Sequence, residues 1–345
     1  MLLDVCVVVP CLNGGSYLDD TLRSVARQSF GRLEVMIVDD GSTDGSLDVA
    51  RRWVRSDDRY RLVSGPHRGI ARSRRLGAAL ASPSTRYIAF MDHDDRWHPT
   101  ALAGLRSALR PGYVGSHGLG RRVGEDGHPV GEDHFSSWQR DRHGVANGAY
   151  VRRLPSEPTT LADALHHFRI YPAGVALFRR LDYEAVGGHD ARLRLTDDWD
   201  LALRLLKRGP MSFVDQVVVD YRQHQGNTSQ ARQDVVVPET RRAWATYYYD
   251  SGLTPSQRSL VRSGWPLLMR TRASHKARRA RQEWSEGHRL GAVRTVLDAA
   301  AHRALLIPPP RWAEQPWSAR DGRDLLEADL GACTVEGVGP AGPRM

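Results

Sequence analysis

Lysine is almost missing from this sequence, cysteine is scarce, and no long apolar run occurs. Each shortage removes a class of explanation. The three cysteines, Cys6, Cys11 and Cys333, form no Cys-x-x-Cys pair, which argues against a disulfide scaffold and a cysteine zinc site. A cytoplasmic location is the expectation. No stretch of 18 apolar residues is present, so no transmembrane helix is expected. The N-terminus enters a strand-like run at Asp4 without a basic segment or cleavage site, so no signal peptide is expected either. A Gly-x-x-x-x-Gly-Lys-Ser/Thr phosphate loop is absent, and Gly118-Leu119-Gly120 lacks the third glycine of a dinucleotide fingerprint. Asp40-Gly41-Ser42-Thr43-Asp44-Gly45 opens like a calcium loop, but its twelfth position is Arg51 where a glutamate is needed.

What remains is a chain of 345 residues, 41% of them hydrophobic, with room for one or two globular domains. The net charge is +9, and lysine contributes only Lys207 and Lys276 to it. Residues 258–281 hold eight Arg or Lys and no Asp or Glu. Such a segment suits a solvated helix face, or peripheral contact with an anionic membrane at its inner face. No nucleic-acid partner is expected.

Strands and helices alternate from the start. Val5–Pro10, Leu33–Asp39, Tyr60–Ser64 and Tyr87–Met91 are short apolar, β-branched runs. Helical patterns at Ser16–Gln28, from the turn Asp40–Gly45 to about Arg55, at Gly69–Leu80 and at His98–Leu109 separate or follow them, the last expected to start with Pro99 in its first turn. This order argues for a Rossmann-like, mostly parallel sheet flanked by helices. Residues 112–158 read as hairpins or a variable loop. Ala173–Phe178 and Ser212–Tyr221 read as strands, and Thr196 as the N-cap of a helix reaching Lys207. Beyond residue 235 the pattern is helical: Glu239–Tyr249, Pro255–Arg270, and a basic helix from Ser274 to Leu306 closed by Pro308-Pro309-Pro310. The expected division is a catalytic unit over 1–235, a helical extension over 236–310, and a loosely ordered tail over 311–345.

Open parallel sheets bind ligands beyond the carboxyl ends of their strands. Pro10, Asp39/Asp40 and Asp92/Asp94 all fall at such ends. The last of these sits in Met91-Asp92-His93-Asp94-Asp95, three carboxylates within four residues. Like charges that close repel, and a divalent cation relieves them. All-oxygen ligation by Asp92 and Asp94 suits Mg²⁺ or Mn²⁺. The plain alternative is a solvated acidic turn. Asp197-Asp198-Trp199-Asp200 lies at a helix start, where carboxylates complement the helix dipole or present a general base. A carboxylate at Asp39 or Asp40 caps its turn, or accepts hydrogen bonds from a base or ribose.

Six segments in order resemble family 2 glycosyltransferases, which have the nucleotide-sugar-binding GT-A fold. They are Val7-Val8-Val9-Pro10-Cys11-Leu12-Asn13, Glu34 to Asp44, Met91 to Trp97, Val186-Gly187-Gly188-His189-Asp190, Asp197 to Leu201 with Arg204, and Tyr221-Arg222-x-His224 with Asn227 and Ser229. The resemblance implies a metal-dependent, inverting transfer of a sugar from a nucleoside diphosphate, usually UDP, to a hydroxyl acceptor. It implies that Asp198 is the catalytic base and that Mn²⁺ or Mg²⁺ is bound by Asp94 and Asp92, with His224 near the metal or diphosphate. Pro10, Leu12, Asn13, Asp39, Asp40, Arg74, Asp92 and His93 would line the nucleotide-sugar site. Gly188, His189, Asp197 and Trp199 would face the acceptor. Three positions depart from the family pattern: Arg75 stands where Asn is usual, Asp197 where Glu is usual, and His189 where an aromatic is common. Two rival readings are a pyrophosphorylase of related fold, which needs a Gly-rich triphosphate loop missing here, and a non-catalytic nucleotide-sugar-binding or membrane-surface scaffold of the same fold.

Overall fold

A computed structural model of the chain describes residues 3–131, 133–146, 149–166, 168–227, 239–240, 244–250, 252–304 and 317–337. Its first half is the expected alternation: β1 (Val5–Cys11), α1 (Tyr17–Ala26), β2 (Leu33–Asp39), α2 (Ser46–Ser56), β3 (Tyr60–Ser64), α3 (Ile70–Ala79), β4 (Tyr87–Phe90), β5 (Arg96–Trp97) and α4 (Ala101–Ser107). Next come β6 (Gly115–Val123), α5 (His134–Arg140), the hairpin strands β7 (His143–Ala146) and β8 (Ala149–Arg152), α6 (Leu161–His166), β9 (Ala176–Arg179), α7 (Arg180–Ala185), α8 (Asp197–Leu206) and β10 (Met211–Arg222). The long helices α9 (Pro255–Ser285) and α10 (Arg289–Ala304) follow, and then α11 (Ala319–Leu330) and β11 (Thr334–Glu336).

Nine strands form one sheet in the order β11-β3-β2-β1-β4-β9-β6-β10-β5. β1 and β2 are buried along their whole length, which is why they read as unbroken apolar runs. The β3-β2-β1-β4 block is parallel, as expected. The far half differs: β9 runs antiparallel to both β4 and β6, and β5 runs antiparallel to β10. The sheet is therefore mixed. In the parallel block Cys11 pairs with Asp39, so the loops after β1 and β2 leave from one rim. β4 joins them at Val8↔Phe90 and sends out the acidic stretch there. α3 lies tight on this block: a Cβ on Gly77 would sit 2.4 Å from a Val8 methyl. That contact fixes where the next helical turns, and Arg74, point.

Several sequence expectations are corrected. Residues 112–158 contain a full central strand, β6, and a hairpin, β7–β8. Ala173–Phe178 begins as a 3₁₀ turn at Ala173–Val175 before β9. α4 starts at Ala101 after the N-cap Thr100, so Pro99 lies outside its first turn. Thr196 precedes α8 without capping it by its side chain; that hydroxyl meets Glu239, whose carboxylate also accepts the Arg194, Leu195 and Thr196 backbone N–H groups. The basic helices break after Ser285, at Gly287 in a left-handed conformation, rather than near Arg270. The tail is not loose over 317–337: Ser318 opens α11 with a reciprocal capping box, and β11 pairs with β3. Ser229, Pro308-Pro309-Pro310 and residues 338–345 lie outside the described residues, as does part of the Glu239–Tyr249 expectation. Among the described residues no helix is long and apolar enough to cross a membrane.

Candidate active site

The rim gathers side chains from α3, the β4–β5 loop, α8 and the end of β10. Arg74 is the hub. Its guanidinium donates to Asp92 Oδ1 at 2.6 Å and to Asp197 Oδ2 at 2.9 Å. Burial favours the neutral form of Arg74, but the Asp92 and Asp197 carboxylates outweigh it and raise the group above its ordinary value. One positive charge thus faces three carboxylates, because Asp198 lies within the same field. Asp198 heads α8 and accepts its neighbour Trp199 N–H at 2.7 Å. Burial, and then the Asp197 carboxylate beside it, push the Asp198 carboxyl up to about 7. A carboxyl near neutrality at a partly exposed helix start can take a proton from a hydroxyl.

Asp94 stands on the other side of the acidic loop. Its Oδ2 lies 2.9 Å from His224 Nε2. Adjacent ligands of an octahedral ion with bonds near 2.1 Å are separated by about 3.0 Å, so this pair fits two ligands of Mn²⁺ or Mg²⁺. Asp92 is engaged by Arg74, and among the described residues no group of three His, Cys, Asp or Glu is preassembled for an ion. Remaining ligands would have to come from a diphosphate or water.

Arg222 builds the floor of this pair, and sequence reasoning gave it no role. Its Nε donates to Asp94 O at 2.9 Å, its Nη1 to Glu125 O at 2.8 Å and its Nη2 to Asp20 at 2.5 Å. Its backbone N–H donates to Asp95 Oδ1 at 3.0 Å. Tyr17 closes the same corner, with its ring 4.8 Å from that of His224 and its hydroxyl donating to Glu125 at 2.6 Å. Asn227 then fixes the turn by accepting His224 N–H. The available signal was the Tyr-Arg-x-His order itself. Asp95 is also functional scaffolding: burial, and then the Asp94 and Asp92 charges, raise its carboxyl well above the usual range.

The β1 and β2 loops form the neighbouring wall. Asn13 accepts Thr43 N–H at 2.8 Å and donates its own N–H to Ser42. Asp39 accepts Ser42 N–H through Oδ2, while its buried Oδ1 has no partner among the described residues. Asp40 behaves differently. Its oxygens accept Arg68 N–H and Gly69 N–H and meet His67 Nδ1 at 2.7 Å. It clamps loop 67–69 with both of its oxygens. Gly41 allows the two loops to touch: its φ is 86°, and a Cβ there would lie 2.9 Å from His67 N. Pro10 is buried in β1, Leu12 is exposed on the rim, and His93 is half-buried with its carbonyl accepting from Thr21.

Three residues expected on the acceptor side are buried. Trp199 is buried, donates to Ala164 O and stacks on Trp244. His189 is buried edge-on to Phe90, and burial with the nearby guanidiniums of Arg74, Arg204 and Arg75 keeps it neutral. Its Nε2 lies 3.9 Å from Asp197 Oδ2, so it backs that carboxylate. Gly188 has φ 66°, a Cβ there would meet Tyr183 Oη at 2.8 Å, and its carbonyl accepts from Arg204. Asp197 itself faces Arg74.

The C-terminal return braces this site from behind. The Trp317 ring lies between the guanidiniums of Arg75 and Arg192, and its N–H donates to Gly187 O at 2.9 Å. Arg75 also donates to Gly322 O. Asp329, almost fully buried, pairs with Arg68 and Arg72.

Residues 6–187 match the family profile described as Glycosyl transferase family 2. The chain is 26% identical over 257 residues to a chondroitin synthase of Pasteurella multocida, covering 71% of this chain and 24% of that protein. It is 38% identical over 101 residues to TuaG of Bacillus subtilis, a putative teichuronic acid biosynthesis glycosyltransferase, covering 28% and 38%. It thus spans well under half of these relatives. In fold it is similar to S. aureus TarS 1–349 in complex with UDP-GlcNAc, at 16% identity and a TM-score of 0.58 over 89% of this chain and 82% of that one. A mannosyltransferase from Pyrobaculum calidifontis, in complex with GDP-Man and Mn²⁺, gives 19% identity and 0.57 over 95% and 79%.

Proposed function

The chain belongs to glycosyl transferase family 2, and from that premise we propose that it moves a sugar from a nucleoside diphosphate to an acceptor hydroxyl with inversion. The observation that carries this is the charged hub: Arg74 holds Asp92 and Asp197, and Asp198 beside them is poised near neutrality. Asp198 removes the acceptor's proton as its oxygen attacks the anomeric carbon. The bond to the diphosphate breaks on the opposite face, which inverts that carbon. Arg74 orients Asp92 toward the donor and opposes the rise that burial imposes on the Asp197 carboxyl. Asp39 Oδ1, buried and open, is a natural acceptor for an N–H of the base, while Asp40 holds loop 67–69 against it. A bound Mn²⁺ or Mg²⁺, held by Asp94 and His224, would neutralise charge growing on the diphosphate. Arg222 positions both of those ligands. UDP is the favoured nucleotide, supported by the fold shared with TarS in its UDP-GlcNAc complex. A glycan hydroxyl is the favoured acceptor, supported by the chondroitin synthase among the relatives.

Asp198→Asn should lower transfer by at least about 10²-fold while donor affinity, read by titration calorimetry, stays within twofold. Normal turnover by this variant would remove Asp198 from the role of base.

A further inference from the structure

We infer that the α9–α10 hairpin is a docking surface for the anionic face of a lipid bilayer. Charge is the first observation. Residues 255–304 hold eleven Arg or Lys against three Asp or Glu, a net +8 out of +9 for the whole chain. The catalytic unit is therefore nearly neutral, and the positive field belongs to this one element. Arg262, Arg270, Arg278, Arg281, Arg289 and Arg294 are exposed on it.

The second observation is apolar. On α10, Leu290 is 89% exposed, Leu297 66%, Val296 54% and Val293 49%. Spacings of three and seven put Leu290, Val293 and Leu297 on one stripe, with Val296 at its edge. Ala292, on the opposite side, is buried, and Thr295 ties the helix to α9 through Glu283 at 2.7 Å. The hairpin thus uses its small-residue face to pack and leaves its large aliphatic face outside. Arg289 and Arg294 border the stripe. Trp284, 58% exposed at the end of α9, lies 5.9 Å from the Arg289 guanidinium.

A bilayer surface matches both halves of this pattern. Aliphatic side chains enter the boundary between headgroups and acyl chains, flanking arginines reach up to phosphates, and tryptophan sits at that depth. A polyanion such as nucleic acid satisfies the arginines but gives the Leu290–Leu297 stripe nothing apolar to bury against. Glu283 and Glu286 are the acids near the turn. Glu283 is engaged with Thr295 and Glu286 accepts from Gln282, so neither opposes the stripe itself.

The full-length protein should co-sediment with vesicles of mixed phosphatidylglycerol and phosphatidylcholine and not with pure phosphatidylcholine, and rising salt should weaken it. Leu290→Ser with Leu297→Ser should lower the partition coefficient at least about tenfold. Arg278→Glu with Arg281→Glu should lower it and flatten the salt dependence. Circular dichroism and donor titration should be unchanged in both variants, which separates lost docking from lost folding. Equal partition into both vesicle types, partition into neither, or an unaltered leucine variant overturns the inference. So does tighter binding to duplex DNA than to vesicles, or a concentration-dependent dimer in sedimentation velocity that the leucine variant abolishes.

Discussion

At the scale of residues, the site is governed by how its charges are shared. Among the described residues Arg74 answers Asp92, Asp197 and Asp198 together, and the shortfall lands on Asp198. A base works only when deprotonated. Its carboxyl, raised to about 7, is therefore protonated and inactive in mild acid. We expect kcat/KM for the donor-free enzyme to climb as pH rises through about 7. Asp197→Asn removes the like charge and frees Arg74 for Asp198; both effects lower the Asp198 pKa. That variant's acid limb should move to lower pH in a pH–rate profile, and a limb that stays put would assign it to another group. Arg74, Asp94, Asp198 and His224 were all legible as motif positions, Arg74 as part of the nucleotide-sugar site; its contacts with Asp92 and Asp197 were not. Trp199 and His189, expected to face the acceptor, lie buried, because a motif gives a position and not a direction. Trp199 follows Asp198 by one residue, a rotation of about 100° on a helix, which turns its ring into the core.

At the scale of elements, the surprises were glycine-rich. The segment holding β6 reads as hairpins or a variable loop because Gly115, Gly118 and Gly120 carry no signal for a long central strand. Each is small for packing reasons: a Cβ at Gly115 would sit 2.4 Å from Leu177 O, and one at Gly118 2.8 Å from a Val218 methyl. Composition alone could not distinguish a flexible glycine from a crowded one. The same held for the Gly-bearing tail, where α11 and β11 dock on α3 and β3. Their key contact is Asp329 with Arg68 and Arg72. Asp329→Asn should destabilise the protein by about 2–3 kcal/mol, below the range for fully buried pairs because both arginines keep some water. Urea unfolding measures this. Amide exchange should quicken at Arg68 and Gly69, whose N–H groups Asp40 holds. Unchanged protection there would show that the return does not brace the loop.

At the scale of the whole molecule, donor and ion should act as one ligand. Under the proposed reading Asp94 and His224 would supply two ligands among the described residues, so neither Mn²⁺ nor UDP alone would complete the site. Together, at about a hundred times their joint Kd, they should add about 2.7 kcal/mol of stability. Thermal denaturation should show a shift with both that exceeds the sum of the separate shifts, and EDTA should remove the excess. Additive shifts would mean that nucleotide and ion bind independently.

The edge pairing of β11 with β3 joins residues 334–336 to 62–64 across almost the entire chain. During synthesis on the ribosome, the first four strands emerge long before this partner does. The wall formed by the β1 and β2 loops accordingly stays unbraced until residues 334–336 have emerged. A message truncated shortly before that point would yield a protein bearing every catalytic side chain yet with a loosened donor loop, a natural target for proteolytic clearance.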